Sequence, residues 1–205
     1  MNDGGKEREL KLALVDGEAH EKLCCHLEGF EGEGEQKNLY FDSHWKLRQK
    51  GHLLRLRFEG EMAKLTLKGG TVHQRGVFVA DEMEFDVPIG EAMDVASCRR
   101  PLEDLGTPVM EKVAELLGRD ARVECWGTLE NRRRRYRVDS GLLLEIDETR
   151  FPDGSKRFEV EVESSDPEGL RQQVESLLAD AGVHWTLQEK TKSEELKDVL
   201  RLLDE

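Results

Sequence analysis

Glu7-Arg8-Glu9-Leu10-Lys11-Leu12, near the start of the sequence, alternates charged and apolar residues. Alternate side chains of an extended strand point to one face, so Glu7, Glu9 and Lys11 project together and the leucines project to the other face. Side chains two residues apart lie roughly 7 Å from each other, which places two carboxylates beside an ammonium group. That pattern suits a hard cation with a phosphate, but it is equally typical of a solvent-facing strand.

The same alternation recurs in later segments, and several of their charged faces carry one sign only. Like charges on one strand repel, so a solvated face gains nothing from such sorting. We therefore predict an α+β fold, an eight-stranded antiparallel β-barrel or tunnel with a charged lumen and helices packed on the outside. The alternative is a two-layer sheet with its charged side in water. The strands predicted after the first cover 37–43, 52–58, 62–68, 76–87, 123–138, 142–147 and 156–163.

Helical periodicity predicts the remaining elements. A helix is expected over 16–27, two between 88 and 120, one over 166–182 and a last one over 193–203. With the strands, these helices make one domain over residues 1–205, because a chain of 205 residues can bury one substantial core.

Composition limits the partners. The chain has 44 acidic and 31 basic residues and a net charge of -13, whereas nucleic-acid and membrane-surface binders need positive surface. The arginine run 132–135 could form a nucleic-acid patch, but the acidic chain around it argues against one. The four cysteines lack C-x-x-C spacing, and no secretory or membrane segment is visible. We expect a cytoplasmic monomer that binds neither nucleic acid nor membranes.

A series of short motifs resembles, in order, the CYTH superfamily of triphosphate tunnel metalloenzymes. The resemblance implies a tunnel of eight antiparallel strands and action on a triphosphate-bearing small molecule with a divalent metal, and it is greatest for the plant-type members, which are similar to inorganic triphosphatases. The motifs are Glu7-x-Glu9-x-Lys11, Tyr40-Phe41-Asp42-Ser43, Leu54-Arg55-Leu56-Arg57, Leu65-Thr66-Leu67-Lys68, Glu82-x-Glu84, Asn131-x-Arg133, Leu144-Glu145-Ile146-Asp147-Glu148-Thr149 and Phe158-Glu159-Val160-Glu161-Val162-Glu163.

The resemblance also implies roles for individual residues. Carboxylates suit Mg²⁺ or Mn²⁺, and arginine grips phosphate through paired hydrogen bonds. Replacing a metal-binding carboxylate by Gln is expected to remove most activity and to raise thermal stability by relieving repulsion. The implied metal ligands are Glu7, Glu9, Asp147, Glu159 and Glu161. The implied substrate-binding residues are Lys11, Arg55, Arg57, Lys68, Arg133, Lys192, Glu82 and Glu84, and the implied catalytic residues are Glu7, Glu9, Asp147 and Lys11.

The predicted function is metal-dependent hydrolysis of inorganic tripolyphosphate to pyrophosphate and phosphate, by attack of water on a terminal phosphorus. One alternative is an organic triphosphatase, acting on thiamine triphosphate or a nucleoside triphosphate, or a class IV-type adenylate cyclase. Animal thiamine triphosphatases have an aromatic residue where this chain has Leu53, so a thiamine ligand loses support unless Trp45 substitutes for it. Another alternative is a polyphosphate-binding module without catalysis.

Overall fold

The secondary structure is known from a computed structural model, which describes residues 5–138 and 140–203. Within these residues the strands are β1 (Gly5–Leu14), β2 (Phe30–Asp42), β3 (His52–Glu59), β4 (Met62–Gln74), β5 (Val77–Val87), β6 (Glu124–Arg137), β7 (Leu143–Arg150), β8 (Lys156–Glu163) and β9 (Trp185–Leu187). The helices are α1 (Gly17–His26), α2 (Lys46–Gln49), α3 (Ile89–Ala96), α4 (Pro108–Leu117), α5 (Pro167–Asp180) and α6 (Lys192–Leu203), with a 3₁₀ helix at Leu102–Leu105.

All nine strands belong to one sheet, in the order β5-β4-β3-β2-β6-β7-β8-β1-β9. An additional pairing of β5 with β1 closes the sheet. Eight antiparallel strands therefore form a closed β-barrel with helices outside it, and β9 is an extra strand beside β1. The predicted α+β barrel is confirmed.

The chain divides into two compact units. Of the described residues, the first unit contains 5–6, 36–71 and 80–129, and the second contains 7–35, 72–79, 130–138 and 140–203. Each unit has its own apolar core. The single domain over 1–205 stays a prediction.

The core of the first unit lies between the apolar faces of its strands and helices α3 and α4. Leu54 and Leu56 of β3 are fully buried, and they lie directly opposite Leu67 and Leu65 of β4. Burial of one such leucine stabilises the fold by roughly 1.5–3 kcal/mol. Because side chains alternate along β3, the arginines between these leucines face away from the core.

The core of the second unit is built in the same way from β1, β7 and β8 with helices α1 and α5. Leu10 and Leu12 lie opposite Val162 and Val160, and all four are buried. Lys11, between the two leucines, therefore lies on the opposite face of β1.

Local side-chain caps fix where the helices begin. The Asp16 carboxylate accepts a hydrogen bond from the Ala19 backbone at the start of α1, at 2.8 Å. Thr107 caps α4 in the same way, and Asp166 caps α5. Each cap satisfies a backbone N–H that the helix cannot pair internally. None of the helices in the described part of the chain is long and apolar enough to cross a membrane.

Strand β2 begins at Phe30, seven residues before the predicted start. The glycines of the segment predict a break, but the segment is part of the sheet beside β6, where its carboxylates form ion pairs with arginines. Glu31 pairs with Arg137 at 2.5 Å, and Glu33 pairs with Arg134 at 2.7 Å. Contacts with residues about 100 positions away therefore override the local preference of glycine against strands.

Other elements also differ from the prediction. The short helix α2 was not predicted, and β4 ends at Gln74, six residues beyond its predicted end. β9 is a strand of three residues that pairs with β1, with Leu187 opposite Leu12. Between 88 and 120 the chain forms α3 and the 3₁₀ helix as well as α4, where two helices were predicted. The elements that were not predicted are short, and their sequences carry few periods of any pattern.

Candidate functional site

Three buried carboxylates meet on the polar face of β7 and β8, in the second unit. They belong to Asp147, Glu159 and Glu161, and Asp147 lies directly opposite Glu159 in the register of the two strands. One oxygen from each side chain lies within 4.8 Å of the others. We call these three residues the acidic cluster. Buried carboxylates need compensating charge, so the surrounding cations decide the chemistry of this cluster.

Lys192, the first residue of α6, reaches all three carboxylates. Its Nζ lies 2.5 Å from Asp147 Oδ2 and 2.9 Å from Glu161 Oε1, and it also forms an ion pair with Glu159. The turn before α6 positions this lysine, because Thr191 and Glu194 accept hydrogen bonds from each other's backbone N–H groups. This reciprocal capping fixes the first turn of the helix.

Lys11 and Arg133 supply two further cations. Lys11 lies directly opposite Glu161, and its Nζ is 2.5 Å from Glu161 Oε1 and 3.0 Å from Glu9. Arg133 lies opposite Asp147 and donates to both of its oxygens, at 2.8 and 2.7 Å. It also donates to Glu161 at 2.5 Å. Paired donation of this kind holds a carboxylate in a fixed orientation.

The electrostatics keep the cluster ionised. Burial alone would raise the pKa of Asp147, but Arg133 and Lys192 outweigh it and hold that pKa well below its usual range. Burial likewise acts against ionised Glu161, and Lys11, Lys192 and Arg133 hold the pKa of this carboxyl well below normal. The carboxylates stabilise the charged lysines in turn. Burial alone would lower the pKa values of Lys11 and Lys192, but the nearby carboxylates raise them above normal. The cluster is therefore a set of charged groups at neutral pH.

The sequence led us to expect that replacing a cluster carboxylate by Gln raises thermal stability. That expectation does not agree with the pairing of these carboxylates with cations. That expectation assumes carboxylates that repel one another without compensation. Glu161 instead contacts three cations, and its lowered pKa shows that its charge is stabilised in the folded state. Replacing Glu161 by Gln should therefore lower stability.

Two residues around the cluster were missed by the sequence analysis. Arg157 is buried and pairs with Glu159 and with Glu195 of α6, the latter at 2.5 Å. Glu145 contacts Arg133 and lies 3.4 Å from Arg135. The sequence pattern could have identified Arg157, because strand alternation places it on the same face as Glu159.

A second charged group, in the first unit, follows the polar faces of β3, β4 and β5. Arg55 lies directly opposite Thr66, and Arg57 lies opposite Lys64. Arg57 Nε donates to Asn38 Oδ1 at 2.8 Å. The side chain of Arg55 is 11% exposed, so its guanidinium group is largely screened from solvent, whereas Lys64 on the same face is 44% exposed.

Glu82 and Glu84 of β5 act as counter-ions on that face. Glu82 lies 3.4 Å from Lys68 and 4.0 Å from Arg55, and Glu84 lies 2.8 Å from Lys64. Burial would raise the pKa of Glu84, but its hydrogen bond from Lys64 lowers it below normal. Both acids thus contact cations, while their predicted part in substrate binding stays a prediction.

The family assignment follows from the sequence as a whole. The family model described as the CYTH domain matches residues 5–197. The chain belongs to the CYTH domain family. No curated protein matches it.

Solved structures with the CYTH fold resemble this chain over most of its length. A candidate adenylyl cyclase from Hippeastrum with a dominant triphosphatase activity is 25% identical, with a TM-score of 0.88 over 94% of this chain and 95% of that one. A candidate adenylate cyclase from Bacillus halodurans is 22% identical, with a TM-score of 0.71 over 93% and 98%. A protein from Pyrococcus horikoshii is 17% identical, with a TM-score of 0.60 over 93% and 98%.

The residues of this CYTH protein suit the divalent metal that its family implies. The acidic cluster offers three carboxylate oxygens close together, and Mg²⁺ and Mn²⁺ prefer such hard oxygen ligands. Glu7 and Glu9, the other predicted ligands, lie outside that cluster. They share the β1 face of Lys11, and Glu9 is joined to the cluster through Lys11. The structure thus brings together three of the five predicted ligands.

An aromatic group lies beside the cationic face of the first unit. The ring centroids of Trp45 and Trp126 are 5.3 Å apart, and those of Trp126 and Tyr40 are 5.4 Å apart. Tyr40 lies directly opposite Arg55. Trp45 is 40% exposed.

The backbone beneath Trp45 is strained and firmly held. His44 and Trp45 have φ values of 51° and 63°, a region that non-glycine residues rarely adopt. The buried Asp42 carboxylate holds this turn by accepting hydrogen bonds from the backbone N–H groups of Ser43, Leu47 and Arg48, at 2.6, 2.9 and 3.0 Å. These hydrogen bonds therefore hold the backbone of the turn that contains Trp45.

Proposed function

We propose that this CYTH protein hydrolyses triphosphate with the help of Mg²⁺ or Mn²⁺, and that inorganic tripolyphosphate is its substrate. The observation that carries the proposal is the buried acidic cluster interlocked with Lys11, Arg133 and Lys192. The similarity to the Hippeastrum protein with dominant triphosphatase activity supports it.

The carboxylates and the cations of the site have different roles in this proposal. Asp147, Glu159 and Glu161 would hold the metal, which would supply a positive charge that shields the phosphate oxygens. Lys11 and Arg133 donate hydrogen bonds to phosphate oxygens. Because its pKa is held well below normal, Asp147 is a weak base, so it suits a role as ligand or water-orienting acceptor better than one as proton acceptor.

The choice of inorganic tripolyphosphate rests on Leu53. This side chain is aliphatic and lies directly opposite Lys68 in the register of β3 and β4. An aliphatic residue at this position offers no aromatic face for an organic ring. A substrate composed of phosphate alone needs only cations and metal.

The aromatic group supports a second candidate, an organic triphosphate such as a nucleoside triphosphate or thiamine triphosphate. Trp45 is partly exposed and packs against Trp126, whose ring contacts Tyr40. Flat rings stack favourably on such surfaces. Arg55 lies directly opposite Tyr40 in the register of β2 and β3, so it would supply a cation for the phosphate chain of such a substrate.

The test is phosphate release from tripolyphosphate, ATP and thiamine triphosphate, each with and without Mg²⁺ or Mn²⁺. We expect release from tripolyphosphate to be fastest and to require metal. Glu161→Gln should remove most of this activity, whereas Asp180→Asn, which changes an exposed carboxylate at the end of α5, should not. Faster release from ATP or thiamine triphosphate would favour the second candidate. Binding without release from any substrate would show a polyphosphate-binding module instead.

A further inference from the structure

Lys192 occupies the centre of the acidic cluster. Its ammonium group contacts one oxygen of each carboxylate, Asp147, Glu159 and Glu161, and its side chain is only 12% exposed. The oxygens it contacts on Asp147 and Glu161 are 2.5 and 2.9 Å away. An ammonium group is a compact point charge, so it can fill a position that three oxygens create for a cation.

A divalent cation bound by the same three carboxylates would need that position. Mg²⁺ binds oxygen ligands at about 2.0–2.1 Å, so an ion held by the three oxygens that Lys192 contacts would need the space of the ammonium group. Two cations repel strongly at such close range in a buried site. One of the two must therefore leave.

Lys192 can leave without unfolding its helix. Leu196 anchors α6 because it is fully buried, and Glu195 pairs with Arg157 at 2.5 Å. The ammonium group sits at the end of a flexible four-carbon stem. It can swing away while the backbone of α6 stays in place.

We propose that the ammonium group of Lys192 is a built-in occupant of the metal position, and that Mg²⁺ or Mn²⁺ binds by displacing it. Displacement frees three N–H donors for a phosphate group. The inference rests on the metal requirement of the proposed function, but it adds an order of events, because Lys192 becomes available to substrate only after the metal has bound. It also implies that metal affinity is weakened by an internal competitor.

Calorimetric titration with Mn²⁺ in the absence of substrate tests this competition. We compare the wild type with Lys192→Met, which removes the ammonium group, and with Lys190→Met. Lys190 is a matched control because it is exposed and pairs with Asp198 at 2.9 Å, away from the cluster. A competitor that fills the site most of the time lowers apparent affinity by about tenfold or more. Lys192→Met should therefore bind Mn²⁺ at least that much more tightly, with Lys190→Met unchanged. Equal or weaker binding by Lys192→Met, or no binding by any of the proteins, overturns the inference.

Acetylation of lysine amines on the unmutated protein provides a second measurement. It tests the inference even where Lys192→Met fails to fold. Lys192 should be protected without metal and become several-fold more reactive with Mg²⁺, while Lys190 reacts equally in both conditions. Unchanged protection of Lys192 under conditions where calorimetry detects Mg²⁺ binding overturns the inference. Neither measurement uses substrate, so a protein that shows the exchange but releases no phosphate would contradict the proposed hydrolysis and leave this inference standing.

Discussion

Replacing Arg133 by Ala should destabilise the metal-free protein by about 3–5 kcal/mol, the usual cost of removing one partner from a buried ion pair. The Arg133 side chain is 8% exposed and donates three hydrogen bonds of 2.5–2.8 Å to Asp147 and Glu161. Without it, those two buried carboxylates share only Lys11 and Lys192. In a chain of this size 1 kcal/mol shifts the Tm by about 2–4 °C, so the Tm should fall by roughly 6–20 °C.

Thermal unfolding followed by circular dichroism, without metal, measures this effect. Arg135→Ala is the matched control, because Arg135 shares the strand face of Arg133 and pairs with Glu145, but its side chain is 29% exposed. Exposed pairs contribute about 0–1 kcal/mol, so the control should shift the Tm little. If Arg133→Ala melts within about 2 °C of the control, Arg133 is not the main compensating charge and the electrostatic account of the cluster is wrong.

Three further predictions concern activity, pH and ligand response. Glu161→Gln should lose most tripolyphosphatase activity and also melt below the wild type, since three cations lose a partner; a higher Tm would support carboxylate repulsion instead. Because the folded pKa values of Asp147 and Glu161 lie below their unfolded values, their contribution to stability is complete above about pH 4–5 and is lost as the pH falls further. Urea unfolding between pH 7 and 3 should show that loss, and a smaller loss in Glu161→Gln; equal losses would contradict it. Arg57→Ala should lower the affinity for tripolyphosphate about ten- to a hundredfold. The measurement is the Tm as a function of tripolyphosphate concentration, and a Tm shift equal to that of the wild type would exclude Arg57 from the site.

The barrel was predictable because several of its strands alternate charged and apolar residues. β3 does so from Leu54 to Glu59 and β8 from Arg157 to Glu163, and an antiparallel sheet with one buried face favours that pattern. The same alternation placed Glu159 and Glu161 on one face. The sequence could therefore group the carboxylates of one strand without any knowledge of the fold.

What the sequence could not show depends on distant contacts. The first half of β2 contains glycines and glutamates, and it is a strand because it pairs with the distant β6, whose Arg134 and Arg137 contact Glu33 and Glu31. Lys192 lies on a helix, 45 positions after Asp147, so no periodicity links the two. The resemblance to a family placed Lys192 in the site, and only the three-dimensional structure shows that it contacts all three carboxylates.

The pairing of β1 with β8 cannot form until β8 has been synthesised, which delays the folding of the second unit. Lys11 and its partner Glu161 are separated by 150 positions, so during synthesis at about 5–20 residues per second β1 waits roughly 8–30 s for its partner to be made. Throughout that interval its leucine-rich face and one row of backbone hydrogen-bonding groups lack their native cover, a condition that favours pairing with other chains. Yield in cells should therefore depend on chaperones and growth temperature more than the stability of the finished barrel would indicate.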